Sequence, residues 1–384
     1  MSGKKQAIVA AVIRYFTTLL FSLLMGCCPM AAVAQDARAE TQTFSAGQVQ
    51  KILQFGPWPP DMPTDVSNRV SGNATAAAFG RQLFFDARLS PSGRVSCSTC
   101  HRPERGWTDN RPRSVGLAAS ARNAPGLYDV RFNRWFGWTG GTDSLWAQSL
   151  RPLLDPKEMG SSAAHVTNHI ALNSALAEAY AAVFDRAANA TEAETVFVDV
   201  GKALAAYQET IVSGRTAFDT FRDALGVGDE TALQQYPVAA QRGLAVFVST
   251  GQCDTCHSGP TFANQSFYAK QFAATAASRR GDAGRADGIA RLTRSPYNLA
   301  GRFNDDPARA VFWSADQLKQ EQSRGAFRVP TLRNLAVTAP YMHDGSLATL
   351  RDVVRNHPMR KNQLSDREIS DLVVFLETLS QPKP

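Results

Sequence analysis

The sequence predicts a mostly α-helical fold in two units of ordinary domain size, and three observations carry that expectation. Apolar residues recur at three- and four-residue spacing in several segments, the mark of helices with one buried stripe. Almost no segment alternates apolar and polar residues as a half-buried strand would. Finally, one cysteine–histidine motif occurs twice in the 384 residues, beginning at Cys97 and again at Cys253, 156 positions later. One motif per unit is the simplest organisation for a mature chain of about 350 residues.

The N-terminus sets where the chain works. Lys4, Lys5 and Arg14 make a basic start, Tyr15 to Met25 is apolar, and Ala32-Val33-Ala34 precedes Gln35. That order reads as a secretory signal peptide over 1–34, cleaved before Gln35. The apolar run falls short of the 20 or so residues that span a bilayer. A competing reading takes Leu24-Met25-Gly26-Cys27 as a lipoprotein box, with Met a poor fit at its second position. Removing 1–34 takes away three basic and no acidic residues, so the net charge drops from +7 to +4. So mild a balance excludes nucleic acid as the expected partner and suits docking of an acidic redox protein.

Residues 35–74 read as a surface arm, with prolines from Pro57 to Pro63 blocking any helix. A helix is expected from Thr75 to Leu89, on Phe79, Leu83 and Phe84, and Ser90-Pro91-Ser92-Gly93 ends it before the first motif. The Arg-, Pro- and Gly-rich stretch 102–126 reads as a long functional loop. In 162–212, Ala171, Leu172, Ala175, Leu176, Ala179, Val183 and Phe184 form a helical stripe, and Thr191 to Glu194 reads as a capping box. His165 and His169, at i and i+4, have no acidic or Cys residue close in sequence and read as ordinary surface histidines. With the arm set apart, the first unit is expected over 75–230 and the second over 231–384. A short helix from Ala239 to Val248 leads to the second motif, and 270–325 reads as loop-dominated. The chain closes on a capping box at Ser365-Glu368 and a stripe of Ile369, Leu372, Val373, Leu376 and Leu379.

The repeated motif is Cys97-Ser98-Thr99-Cys100-His101 and Cys253-Asp254-Thr255-Cys256-His257. Both are Cys-x-x-Cys-His, the attachment signal of c-type haem. Two thiols three positions apart form thioethers to the two vinyl groups of one porphyrin, and the next imidazole reaches its iron. With six Cys and six His in 384 residues, chance supplies roughly 0.0014 such matches per chain, so two copies are no accident. The four motif cysteines leave only Cys27 and Cys28, hence no disulfide framework. Zinc would not ask for His after both pairs, and a dithiol redox motif would occur once. The fold class is therefore mostly α, with two cytochrome c-like haem domains packed against each other and two covalently bound c-type haems. Covalent haem attachment and the leader together place the mature protein in the periplasm.

Further blocks carry a resemblance. They include Gly80-Arg81-Gln82-Leu83-Phe84-Phe85-Asp86, Cys100-His101-Arg102-Pro103-Glu104-Arg105-Gly106, Arg122-Asn123-Ala124-Pro125, Phe327 to Asn334, and Thr338 to Gly345. In this order they resemble the bacterial di-haem cytochrome c peroxidase family, including its methylamine-utilisation (MauG) branch, over nearly the whole mature chain. The resemblance implies that the N-terminal haem, on His101, reacts with hydrogen peroxide through an open distal face. It makes Trp138 the residue that couples the two haems, Glu158 the distal carboxylate, and Gln148 and Pro152 two further positions of the distal pocket. A carboxylate suits that place because peroxide cleavage needs a group to carry a proton from the inner to the outer oxygen. The second haem, on His257, is expected to be six-coordinate. Counting fourteen residues from His343 lands on His357 as its distal ligand, with Met359 the rival. Calcium between the domains is implied on Asn123, Thr338 and Pro340, hard oxygen donors of the type that ion takes.

Three departures bear on the function. Trp138-Thr139-Gly140-Gly141 stands where the family has Trp-Asp-Gly-Arg, no histidine lies between His101 and Trp138, and Thr250-Gly251-Gln252 lacks a tryptophan. The resemblance implies a peroxidase fed by a small periplasmic redox protein, a cytochrome c or a cupredoxin. The alternative is a MauG-like enzyme that uses peroxide to oxidise Trp or Tyr of a protein substrate. A plain electron-transfer cytochrome with two closed haems is the non-enzyme alternative, and a homodimer is compatible with all three.

Overall fold

The computed structural model describes residues 42–269, 282–320, 324–357 and 363–382. The leader, Cys27, Gln35 and Met359 lie outside the described residues. The chain from Thr41 onward forms one compact unit, and its regular structure is almost all helical. In order come α1 (Ala46–Leu53), α2 (Ala74–Phe85), α3 (Cys97–Cys100), α4 (Leu145–Leu154), α5 (Ala163–Leu172), α6 (Ser174–Phe184), α7 (Ala193–Gln208) and α8 (Ala217–Val227). There follow α9 (Glu230–Gln234), α10 (Val238–Val248), α11 (Arg285–Arg294), α12 (Pro307–Ala310), α13 (Ala315–Gln320), α14 (Leu350–Asn356) and α15 (Asp366–Glu377). The described strands are β1 (Phe267–Tyr268) and β2 (Phe327–Arg328), paired antiparallel with Phe267 opposite Arg328.

Local chemistry fixes the helix starts. Asn73, Ser144, Ser162, Asn173 and Thr349 each accept a backbone N–H of the first turn, satisfying a donor the helix cannot. Ser365 and Glu368 close the expected capping box of α15. At α7 the structure differs. Glu192 is its N-cap without a side-chain cap bond, because the Thr191 hydroxyl turns back to the Ala187 carbonyl at 2.8 Å.

Two large apolar cores form, one around each motif. The first gathers Phe79, Leu83 and Phe84 of α2 with Trp146, Leu150, Val166, Ile170, Phe197 and Leu204. The second gathers Leu244 and Phe247 of α10 with Phe262 and with Leu372, Phe375 and Leu376 of α15. The arm expected at the surface joins this second core through Ile52 and Phe55, because the Phe55 ring stacks on Phe262 with centroids 4.6 Å apart. Trp58 of the same segment is buried as well, its indole N–H donating to the Ser213 carbonyl at 3.0 Å. Prolines do block a helix there, but they do not keep the chain in solvent. The stretch 270–325 is less loop-like than its composition suggests, since Ile289 and Leu292 give α11 a buried face against Trp135. His165 and His169 are partly buried and bonded rather than simply solvated. His165 Nε2 meets the Arg88 carbonyl and His169 Nε2 the Asp86 carboxylate, each at 2.9 Å, tying α5 to the turn after α2. Among the described residues, no helix is long and apolar enough to cross a membrane.

One packing device occurs in both cores. Gly80 of α2 lies against the Ala203 carbonyl and the Tyr207 Cβ of α7, and Gly243 of α10 lies against the Asp371 carbonyl and the Phe375 Cβ of α15. A Cβ would stand 1.9 Å from the first carbonyl oxygen and 2.0 Å from the second, so only glycine lets either helix pair cross. Arg242 adds two bonds of 2.8 Å to the Asp371 carboxylate beside the second crossing. Gly243→Ala is expected to cost about 2–3 kcal/mol, the upper range for overpacking, and Gly80→Ala a similar amount. Denaturant unfolding of the purified variants checks this, and unchanged midpoints would contradict it.

Candidate haem centres

Both motif histidines are aimed in the same way. His101 caps α3, and its Nδ1 lies 3.0 Å from the Trp107 carbonyl. His257 Nδ1 lies 3.0 Å from the Phe262 carbonyl. A carbonyl accepts, so each Nδ1 carries the proton and each Nε2 is the free lone pair, which is how metal-bound histidines are oriented. Both carbonyls belong to an aromatic residue with a left-handed backbone, φ 61° at Trp107 and φ 53° at Phe262. Bulky side chains rarely adopt that conformation, and the cores enforce it. Trp107 packs edge-on against Phe84 and Tyr207, while Phe262 is enclosed by Phe55, Phe218, Phe247 and Phe375. The loop before Phe262 is pinned from below by fully buried Arg333. That guanidinium donates to the Pro260 carbonyl at 2.6 Å, pairs with both oxygens of Asp219, and lies 3.6 Å over Trp58.

Beyond His257 the structure places His357, the C-cap of α14, with the ring centroids 6.4 Å apart. Two imidazoles sharing one metal, with bonds of about 2.0–2.1 Å as in zinc sites and ring centres about 1.1 Å further back, stand roughly 6.3 Å apart. Burial and the neighbouring His357 push the His257 pKa down to about 4, so its ring is neutral, as ligation requires. His257 and His357 line a cavity of about 610 Å³, together with Cys253, Cys256, Trp138 and Arg328. Arg328 is buried and bonds to the carbonyls of Gly137 and Val329 and to the Asn133 side chain. Burial draws its pKa down to about 10, and no carboxylate among the described residues offsets that.

His101 has different surroundings. Burial lowers its pKa, while the Trp107 carbonyl and then the carboxylates of Glu158 and Asp109 act against that. Glu158 follows α4 in a tight turn, its N–H on the Asp155 carbonyl. The loop expected to be functional grips it, because Leu117 N–H donates to the Glu158 carbonyl at 3.1 Å and Gly116 packs too close on it for any Cβ. Arg151 Nη2 donates to Glu158 Oε1 at 2.8 Å. Gln148 and Pro152 lie one turn apart on α4; Gln148 Oε1 accepts from Thr142 at 2.8 Å, leaving its amide N–H₂ as the donor. The other histidines are engaged elsewhere, His165 and His169 on the Arg88–Asp86 turn and His343 stacked 3.7 Å on Phe327.

Trp138 is held from both halves of the chain. Its indole N–H donates to the Asn123 carbonyl at 2.9 Å, and its own carbonyl accepts from Arg328 N–H at 2.9 Å. Asn123 N–H in turn donates to the His343 carbonyl at 2.9 Å, and Arg122 makes a two-oxygen pair with Asp282. Asn123, Thr338 and Pro340 line the cavity together. The Asn123 Nδ2 is taken by the Arg111 carbonyl at 2.7 Å, which leaves Oδ1 as an acceptor. Sequence reasoning missed Arg151, Arg328 and Arg333. Of these only Arg151, between Gln148 and Pro152 on one helix face, had a signal that periodicity could find.

Comparison with known proteins bears on what these centres are. Residues 74–225 match the family model for di-haem cytochrome c peroxidase. The methylamine utilization protein MauG of Methylorubrum extorquens is 33% identical over 364 residues, covering 91% of this chain and 90% of that protein. This chain belongs to the di-haem cytochrome c peroxidase family. A further member, the cytochrome c551 peroxidase of Nitrosomonas europaea, is 32% identical over 81% of this chain and 82% of its own length. Among solved structures, a MauG-like protein associated with microbial copper homeostasis superposes with a TM-score of 0.60 at 26% identity, covering 85% of this chain and 94% of that one. The di-haem peroxidase BthA of Burkholderia thailandensis shares the fold, with a TM-score of 0.63 at 24% identity over 81% of this chain and 87% of that one.

Members of the family are haem peroxidases, and two c-type haems are the cofactors it implies. The residues fit such groups. The described cysteines form no disulfide and make two Cys-x-x-Cys pairs, each followed by an imidazole whose Nδ1 is turned to a carbonyl. The buried cation Arg328, which no carboxylate among the described residues offsets, lines the cavity where an anionic group would sit. Phe262→Ala is expected to cost about 3–5 kcal/mol, the usual loss for a large buried side chain, and to broaden the absorption of the second haem while leaving the first unaltered. Thermal unfolding followed at the haem bands tests it; equal disturbance of both centres would contradict the local role.

Proposed function

We propose that this enzyme reduces hydrogen peroxide at the His101 centre, with electrons supplied through the His257 centre by a small redox protein. The observation that carries the reading is the unequal use of histidine. His257 faces His357 at a spacing suited to a shared iron, whereas among the described residues the remaining histidines are engaged away from His101, and a carboxylate whose charge is felt at His101 is that of Glu158. One centre is closed and the other can take a ligand. Bound haem supplies the electron-transfer chemistry that breaks the O–O bond.

The chain supplies the rest. Glu158 accepts the proton from the inner oxygen of bound peroxide and returns it to the outer oxygen, which leaves as water. Arg151 holds that carboxylate in place through the 2.8 Å bond. The Gln148 amide donates toward the peroxide, and Pro152, which has no N–H, walls the pocket without adding a competing donor. Trp138, bonded to both halves, bridges the centres. His357, opposite His257 at 6.4 Å between ring centroids, would be the second protein residue to hold the haem of that centre. Asn123 Oδ1 with the Thr338 and Pro340 carbonyls holds a calcium ion that ties the halves together. The leader over 1–34 exports the chain to the periplasm, where an electron donor of cytochrome c or cupredoxin type is met. A second reading, oxidation of Trp or Tyr of a partner protein, draws support from the similarity to MauG and from the absence of a histidine between His101 and Trp138.

Stopped-flow mixing of the all-ferric holoprotein with one equivalent of peroxide, with and without a reduced donor, tests the function. Peroxide consumption with matching donor oxidation is expected, and Glu158→Gln should slow it by about 10²–10⁴, the usual worth of a positioned acid–base group. A Glu158→Gln variant as fast as the parent would remove that role. No reaction in any redox state would leave an electron carrier. A chelator is expected to lower the rate and added calcium to restore it; indifference to both would contradict the calcium site.

A further inference from the structure

One tryptophan outside the haem centres is built differently from the others. Trp58, Trp135 and Trp146 each lie under a cation, with Arg333 at 3.6 Å, Arg285 at 4.2 Å and Lys202 at 5.5 Å from the ring centroids. A cation over an indole face disfavours removing an electron from it. Trp313 has the opposite environment. Its indole N–H donates to Asp143 Oδ2 at 2.8 Å. Asp143 is 3% exposed, its Oδ2 also accepts from Leu299 N–H at 2.9 Å, and its Oδ1 has no hydrogen-bond partner among the described residues. Burial raises the pKa of this carboxylate, so it takes up a proton more readily than a solvated one.

Trp313 is half-buried and packs against the small core that contains Trp135. Its chain neighbour Phe312 stands edge-on to the Trp135 ring with centroids 5.0 Å apart. Trp135 is three residues from Trp138, so their Cα atoms are at most about 11 Å apart. An aromatic run therefore leads from the residue between the haem centres to the surface, passing a ring that resists oxidation and ending at one that favours it.

We propose that Trp313, with Asp143 as its proton acceptor, is a redox-active residue that gives a one-electron donor at the surface a second entry to the enzyme, beside the route through the His257 centre. Trp313 gives one electron inward, toward the centre that peroxide has oxidised, and its Nε1 proton passes to Asp143. The resulting neutral indolyl radical takes one electron from the donor and recovers the proton, so two such cycles supply the two electrons that one peroxide needs. This inference rests on the peroxidase reading above, since peroxide is its oxidant.

The test treats holoprotein with peroxide in the absence of donor. Freeze-quenched samples containing ring-deuterated tryptophan are examined by electron paramagnetic resonance, and oxygen addition to each tryptophan is mapped by mass spectrometry. An indolyl radical and oxygen addition concentrated at Trp313 are expected. Trp313→Phe should abolish that radical, Trp313→Tyr should replace it with a phenoxyl signal, and Asp143→Asn should lower its yield at least about tenfold. Circular dichroism guards against misfolding of the Asp143 variant, while the two Trp313 variants decide the matter independently. Peroxide consumed with Trp313 unmodified, or a radical unchanged in Trp313→Phe, would overturn this proposal alone. Peroxide left unconsumed would overturn the peroxidase reading and this proposal with it.

Discussion

Everything in this molecule depends on two hydrogen bonds, from the Nδ1 of His101 to the Trp107 carbonyl and from that of His257 to the Phe262 carbonyl. Each fixes which nitrogen of a motif imidazole is left to meet a metal. Neither carbonyl would point there in relaxed backbone, since both residues are held at positive φ. Such strain costs on the order of 1–3 kcal/mol per residue and persists only where packing over-determines it. The two cores supply that packing. Their glycine crossings bring α2 onto α7 and α10 onto α15, and these are the same helices whose Phe84, Tyr207, Phe247 and Phe375 enclose the two strained residues.

The two motif histidines are held alike and differ in what stands near them. On one side an imidazole faces an imidazole. On the other, the carboxylate of Glu158, held by Arg151 in a turn that a long loop grips, is felt electrostatically at His101. Bonds from both halves of the chain converge on Trp138, and the Arg122–Asp282 pair and the Asn123–His343 bond join the same halves. Small shifts of one half against the other would be felt first at that indole. The absence of the usual charged pair beside Trp138 is met here by buried Arg285, which donates to the Thr139 and Gly140 carbonyls.

The sequence made the proximal side legible because each motif is local: five residues specify the thiols and the imidazole together. Helices with a clean stripe were legible too, as α2, α10 and α15 lie within a few residues of their expected bounds. What escaped reading was set by tertiary partners. Residues 46–58 look like an arm until Phe55 finds Phe262, and α11 looks like loop because its buried face, Arg285, Gly288, Ile289 and Leu292, holds just two large apolar residues on an Arg-rich helix. Thr191 looks like a cap, yet its hydroxyl had a nearer acceptor. Arg328 and Arg333 are ordinary arginines in sequence, and their importance comes only from burial. Placing His357 opposite His257 required a count from a resemblance, which a five-residue motif could not supply.

The central claim is that one centre is closed by two imidazoles while the other keeps an open face. Low-temperature electron paramagnetic resonance of the all-ferric holoprotein tests it most directly. One low-spin ferric signal of bis-imidazole type is expected beside one high-spin signal, in equal amounts, with only the high-spin signal altered by a small anionic ligand. Two low-spin signals, both indifferent to that ligand, would contradict it.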